Sequence, residues 1–182
     1  MIIQSTNIPD VKLITPKIFE DDRGYFFESF RDDIFKKEIG EINFIQDNES
    51  KSSFGVMRGL HYQLPPYAQS KLVRVVKGKV LDVAVDIRKS SPYFGKYVSA
   101  ELSEENKLQM FIPQGFAHAY LVLSDEAIFQ YKVDNYYSPE HDRGIIYYDT
   151  QLNISWTLVP SQIVVSDKDK KLPFLNDAEL FD

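Results

Sequence analysis

The chain has 182 residues, no cysteine and a formal net charge of −6 at pH 7, with 43% hydrophobic and 26% charged residues. The absence of cysteine excludes disulfides, thiolate nucleophiles and sulfur-held metal sites. The negative balance argues against broad nucleic-acid binding, which needs a patch of Lys and Arg, but leaves room for a small anion in one positively focused cleft.

The length can bury a real core and suggests one domain over residues 1–182. No apolar run is long enough for a membrane span. The start, MIIQSTNIPDVKLITPK, lacks the basic, apolar and small-residue sections of a secretion signal, so a soluble, cytoplasmic protein is expected.

KLITPKIF and GYFFESF flank EDDRG, a polar stretch ending in glycine that suits a turn between two extended segments. SFRDDIFKKEIG predicts a short helix, with Ser29 as cap, Asp32 and Asp33 in its first turn, Lys36 and Lys37 later, and Gly40 as its end. The next stretch, FGVMRGLHYQLPPYAQSKLVRV, gathers Arg58, His61, Gln63, Gln69, Lys71 and Arg74 around a strand that should otherwise be apolar. Arg58 and His61 are an odd number of positions apart, so a regular strand would aim them at opposite faces. Gly59 between them permits a bulge that would re-aim one of them.

From Lys71 the pattern has period two. In KGKVLDVAVDIR, Leu81, Val83, Val85 and Ile87 alternate with Asp82, Ala84, Asp86 and Arg88. The charged face would be solvated on an open sheet, or would line a polar cavity in a barrel. KYVSAEL, KLQMFIP, AYLVLS, AIFQYKV, GIIYYD, ISWTLV and QIVVS read as further strands between turn signals, which predicts an all-β sandwich or barrel.

Four places could carry chemistry. His61 has the side chain whose ordinary pKa suits a general acid or base at neutral pH. In IPQGFAHAY, Pro113, Gly115 and His118 have a P-x-G-x-x-H spacing which, with the G-x5-H of Gly55 and His61, resembles the two motifs of the cupin superfamily, small jelly-roll barrels that often hold a metal. The metal-binding pattern has a second histidine two residues after the first, and here that position is Gln63, so no metal is expected. Tyr137, two residues before Pro139, could lean over a cavity mouth as a proton donor or simply pack. In VVSDKDKKLPF, Asp169 and Lys168 read either as a solvated charged turn or as a carboxylate that orients His61 beside a lysine free for an anion.

Together, RGLHYQ, QSKLVRV, DVAVDIR, IPQGFAHAY, YKVDNYYSPEHDRGI and SDKD resemble the dTDP-4-dehydrorhamnose 3,5-epimerase family, over most of the chain from DDRGYFFESF to SDKD. The resemblance implies a cupin-like jelly-roll β-barrel with a few short peripheral helices, working as a homodimer without metal or organic cofactor. It implies inversion of C3 and C5 of a dTDP-linked 4-keto-6-deoxyglucose. By matching motifs, His61 would be the base, Asp169 its partner, Tyr137 the acid and Lys71 the cation near the C4 oxygen. Arg23, Glu28, Gln46, Asn48, Arg58, His118 and Lys168 would bind the nucleotide-sugar, with Arg23 and Glu28 reaching across a dimer interface. One departure is Ala119, where the family pattern has glycine after GFAH. Rival readings are a relative that inverts C3 or C5 alone, a metal-dependent cupin enzyme, and a sugar-binding module without catalysis.

Overall fold

The computed structural model describes residues 1–182. Its strands in chain order are β1 (Ile2–Ser5), β2 (Lys12–Thr15), β3 (Ile18–Asp21), β4 (Gly24–Phe27), β5 (Gln46–Ser53), β6 (Met57–Gln63), β7 (Lys71–Lys77), β8 (Lys79–Asp86), β9 (Tyr97–Ser103), β10 (Gln109–Ile112), β11 (Phe116–Val122), β12 (Glu126–Val133) and β13 (Asp142–Gly144), with one α-helix, α1 (Asp32–Glu38), between β4 and β5. A six-stranded sheet in the order β1-β2-β10-β7-β12-β5 faces a five-stranded sheet in the order β13-β6-β11-β8-β9, and β3 and β4 form a separate hairpin. Strand pairing within all three is antiparallel. The alternation predicted an all-β sandwich or barrel, and the result is the cupin-like jelly roll that the family resemblance implied. No helix is long and apolar enough to cross a membrane.

The period-two pattern decides what lies inside. Val73, Val75, Val80, Ala84, Met110, Ile112, Phe116, Tyr120 and Phe129 fill the space between the two sheets. Along β8 the uniformly apolar face, Leu81, Val83 and Val85, packs instead on the outer side of the five-stranded sheet, under the C-terminal segment with Trp156, Leu158 and Ile163. The opposite parity therefore carries Asp82, fully buried, into the barrel. On the far side, Phe35 of α1 joins Ile14, Leu72 and Phe111 to cover the six-stranded sheet.

Helix α1 starts at Asp32 with Asp32 and Asp33 in its first turn, where negative charge meets the positive end of the helix. Ser29 does not cap it. Arg31 occupies the cap position without a side-chain cap bond, and the Ser29 carbonyl accepts a hydrogen bond from Gln109 Nε2 at 2.9 Å. Gly40, at φ +131°, ends the helix, its N–H reaching Phe35 O at 3.0 Å.

Three expected strands differ. GIIYYD contributes only Gly144 to β13, although Ile145 still exchanges backbone bonds with Leu60. ISWTLV forms no strand, and QIVVS makes one isolated parallel bridge, Val164 with Val56. Their apolar side chains are satisfied by lying across the outer face of a sheet, which needs no pairing. Two strands escape hydrophobic alternation: the short edge strand β1, and β5, whose sequence QDNESKSS is polar on both faces.

The bulge at Gly59 does occur. His118 pairs with His61 and Tyr120 with Arg58, so three steps on β6 oppose two on β11. The extra residue cancels the odd spacing, and Arg58 and His61 line the same cavity. Gly59 sits at φ +127°, and a Cβ there would lie 2.5 Å from the Ala119 methyl and 2.5 Å from the His118 carbonyl oxygen. The Ala119 methyl thus occupies space that Gly59 vacates. Gly59→Ala is expected to lower unfolding stability by about 3 kcal/mol or more through backbone strain and overpacking. Denaturant unfolding of the variant checks this, and an unchanged midpoint would contradict it.

Candidate active site

Residues from both sheets converge on a cavity of about 490 Å³. The five-stranded sheet supplies Arg58 and His61 from β6 and His118 and Tyr120 from β11, while the six-stranded sheet supplies Lys71 from β7 and Phe129 and Tyr131 from β12. The C-terminal segment closes one side with Val164, Val165, Ser166, Lys168 and Asp169.

His61 Nε2 lies 2.7 Å from Asp169 Oδ1, and Asp169 is only 5% exposed. Composition alone favoured a solvated turn at SDKD; the fold buries its second carboxylate instead. Burial pushes Asp169 up, but the hydrogen bond and charge of His61, with Ser166 and Lys168, outweigh it and hold the carboxyl below the ordinary range. An ionised Asp169 accepts Nε2–H, which leaves the lone pair on Nδ1, a nitrogen without a partner in the chain.

A second pair stands beside it. His118 Nε2 lies 2.9 Å from Asp82 Oδ2 and 3.1 Å from Oδ1. Burial lowers the His118 pKa against the pull of Asp82, so its ring is neutral at pH 7 and donates Nε2–H to the carboxylate. Lys71 is pushed down to about 8 by burial, while the charges of Asp142 and Asp82 act to keep its proton.

Arg58 is aimed by a chain of hydroxyls: its Nε donates to Ser52 Oγ at 3.1 Å, and the Tyr120 hydroxyl lies 2.9 Å from Ser50 Oγ. Lys168 pairs with Asp142, so it is not a free cation. Gln63, where the metal-binding cupin pattern has histidine, donates to the Tyr67 and Tyr136 carbonyls and accepts the Ser138 N–H, which commits its amide to holding the loop after β12. No group of three or more His, Asp or Glu side chains is gathered where it could hold a metal ion. His141 bonds Ser138 Oγ elsewhere.

Other expected site residues lie apart. Tyr137 does not line the cavity; it is 58% exposed and its hydroxyl donates to Asp142 Oδ2 at 3.2 Å. Arg23 pairs with Asp21 at the tip of the β3–β4 hairpin, and Glu28 is exposed 3.7 Å from Arg31. Gln46 bonds Asn48, and Asn48 borders a neighbouring 240 Å³ cavity with Arg74 and Gln130. Arg74 faces this outer side, away from His61, because it lies one step out of phase with Lys71 and Val73. Tyr131 lines both cavities and makes no hydrogen bond in the chain. Only its parity with Phe129 on β12 marked it as inward-facing in the sequence, and that signal is shared by many core tyrosines.

The profile of the dTDP-4-dehydrorhamnose 3,5-epimerase family matches residues 5–177. The chain belongs to this family. It is 54% identical to the dTDP-4-dehydrorhamnose 3,5-epimerase of Shigella flexneri over 182 residues, covering 100% of this chain and 99% of the relative. The crystal structure of the dTDP-6-deoxy-D-glucose-3,5-epimerase of Legionella pneumophila Philadelphia 1, in complex with dTDP-4-keto-L-rhamnose, superposes with a TM-score of 0.93 at 49% identity, over 96% of this chain and 93% of that one. ChmJ, a 3'-monoepimerase from Streptomyces bikiniensis, superposes with a TM-score of 0.87 at 30% identity, over 94% of this chain and 86% of that one; its structure with dTDP is of a double variant with one histidine and one tyrosine replaced. Those two residues are separated by the same number of positions as His61 and Tyr131.

The depressed Lys71 has a consequence for stability. Its folded pKa lies below the unfolded value, so carrying its charge costs stability at pH 7, and the cost disappears as pH rises from about 8 past 10.5. Lys71→Met is expected to be more stable than the parent at pH 7 by up to ~3 kcal/mol, with the difference shrinking towards pH 10. Denaturant unfolding of both proteins across that range checks the sign, and a destabilised Lys71→Met at pH 7 would contradict it.

Proposed function

We propose that this chain inverts C3 and C5 of dTDP-4-keto-6-deoxy-D-glucose to give dTDP-4-keto-L-rhamnose, using no metal or organic cofactor. The observation that carries the reading is the His61–Asp169 dyad sharing one cavity with the half-buried Lys71, in a chain of this epimerase family. Both carbons flank the C4 ketone, so removing either proton gives an enolate whose charge spreads onto the C4 oxygen. His61 Nδ1 takes the proton, and Asp169 stabilises the imidazolium that forms. Lys71 meets the negative charge where it develops, in a site of low polarity where such an interaction is strong.

Inversion needs the proton returned on the face opposite to removal. His61 stands on the five-stranded sheet and Tyr131 on the sheet facing it, so a sugar ring between them has a base on one side and a phenol on the other. We therefore assign the acid to Tyr131 in place of the exposed Tyr137. The spacing shared with the substituted pair in ChmJ supports the same choice. Arg58, with Nε tied to Ser52, offers its remaining N–H groups to the diphosphate. Arg23 lies at the hairpin and Glu28 just after it, both outside this cavity, and their part in binding requires a second copy of the chain, a homodimer in which the hairpin reaches the partner's site. That hairpin exposes Phe19, Tyr25 and Phe26, an apolar surface suited to such contact. A cytoplasmic setting fits a nucleotide-sugar substrate.

Proton NMR of dTDP-4-keto-6-deoxyglucose with the protein in D₂O, without added metal, tests the reaction. Signals at both C3 and C5 should disappear as an L-configured product forms, whereas exchange at one carbon alone would favour a single-centre epimerase. His61→Ala and Tyr131→Phe should each lower turnover by ~10²-fold or more, and Tyr137→Phe should lower it by less than about 10-fold. Near-normal turnover of Tyr131→Phe beside an inactive Tyr137→Phe would return the acid role to Tyr137.

A further inference from the structure

We propose that Ser166 is a positioning residue for the reaction, holding Asp169 at the distance from which it orients His61. The inference deepens the epimerase reading and rests on it.

Asp169 does not come from either sheet. It is carried by the segment Gln162–Asp169, whose single ladder contact with the barrel is the bridge between Val164 and Val56. Two backbone hydrogen bonds make that contact, Val164 N–H to Gly55 O at 2.8 Å and Met57 N–H to Val164 O at 2.9 Å. The approach is so close that a Cβ on Gly55, at φ +77°, would lie 2.1 Å from the Gln162 carbonyl oxygen. Val164 is thereby fixed, but Asp169 lies five positions further on, and a segment of that length can place a carboxylate anywhere within several ångströms.

Ser166 removes that freedom. Its hydroxyl accepts the Asp169 N–H at 3.1 Å, and its carbonyl accepts the Lys170 N–H at 3.1 Å. The two bonds close the turn from Ser166 to Lys170 that leads into the 3₁₀ turn Asp169–Lys171, whose own cap position, Lys168, makes no side-chain cap bond. The Asp169 carboxylate meets His61 Nε2 at 2.7 Å, and the Ser166 hydroxyl also favours its ionised form. The Lys168–Asp142 pair tethers the same turn from its outer side, through the Lys168 side chain. Ser166 is the side chain that bonds the Asp169 backbone directly. It is exposed at the cavity rim, so its loss leaves both cores intact.

The test compares Ser166→Ala, Ser166→Thr, Asp169→Asn and the Ser166→Ala/Asp169→Asn pair in the full-length protein, by steady-state turnover of dTDP-4-keto-6-deoxyglucose and thermal unfolding. Ser166→Ala should lower kcat about 5- to 10-fold, the effect of losing one hydrogen bond, with KM and the unfolding midpoint unchanged. Ser166→Thr should restore kcat, because the hydroxyl returns. Adding Ser166→Ala to Asp169→Asn should change the residual kcat less than about 2-fold, since the two act as one unit. Unchanged kcat in Ser166→Ala, a full further loss in the Asp169→Asn background, or a raised KM at constant kcat would each overturn the assignment. Absence of any turnover by the parent protein would instead overturn the epimerase reading itself, and this inference with it.

Discussion

Lys71 brings an ammonium group into a cavity whose other walls include Phe129, Tyr120 and Val56, and burial works against its charge. Much of the site can be understood as what keeps that charge in place. Asp82 and Asp142 supply the negative field that opposes desolvation, and each is itself held by a partner, His118 for Asp82 and Lys168 for Asp142. A lysine left near pH 8 is still mostly charged at neutral pH, yet poorly solvated, the condition in which a cation stabilises a new negative charge most strongly.

The barrel architecture makes this possible by reversing the usual assignment of faces. On β8 the apolar face turns outward under the C-terminal segment and the face carrying Asp82 turns in. The C-terminal segment is therefore both the cover of a hydrophobic surface and the carrier of Asp169. Had β8 turned Leu81, Val83 and Val85 inward, Asp82 would face away from His118 and the pair could not form inside the barrel. The bulge at Gly59 serves the same end, because without the extra residue Arg58 and His61 could not both look into the cavity.

Much of this was legible in the sequence because β structure writes its alternation openly. The all-β layers, the charged face of β8, the allowance for a bulge at Gly59 and the residues around His61 follow from period two and residue chemistry, while the jelly roll itself was implied by the family resemblance. What was not legible depends on contacts that no local pattern records. QDNESKSS is a strand because its neighbour β12 pairs with it along its whole length, while its own composition suggests a loop. ISWTLV and QIVVS have strand composition but find burial by lying on a finished sheet. Tyr137 and Tyr131 are alike as sequence, but the parity of β12 turns Tyr131 into the cavity, while Tyr137 lies past the end of that strand, exposed and bonded to Asp142. Asp169 is buried by its partner His61, 108 positions earlier in the chain, which local charge density could not reveal.

The central claim is that the Lys71 ammonium is the charge that stabilises the enolate. The most direct measurement is the pH at which the Lys71 Nζ signal titrates in ¹⁵N-lysine NMR, compared with the pH at which kcat for C–H exchange halves on the alkaline side. The charged and titratable groups around Lys71 are Asp82, Asp142, His118 and His61. The account predicts that the two values coincide near 8. A kcat that holds level through the pH at which Lys71 loses its proton would contradict it.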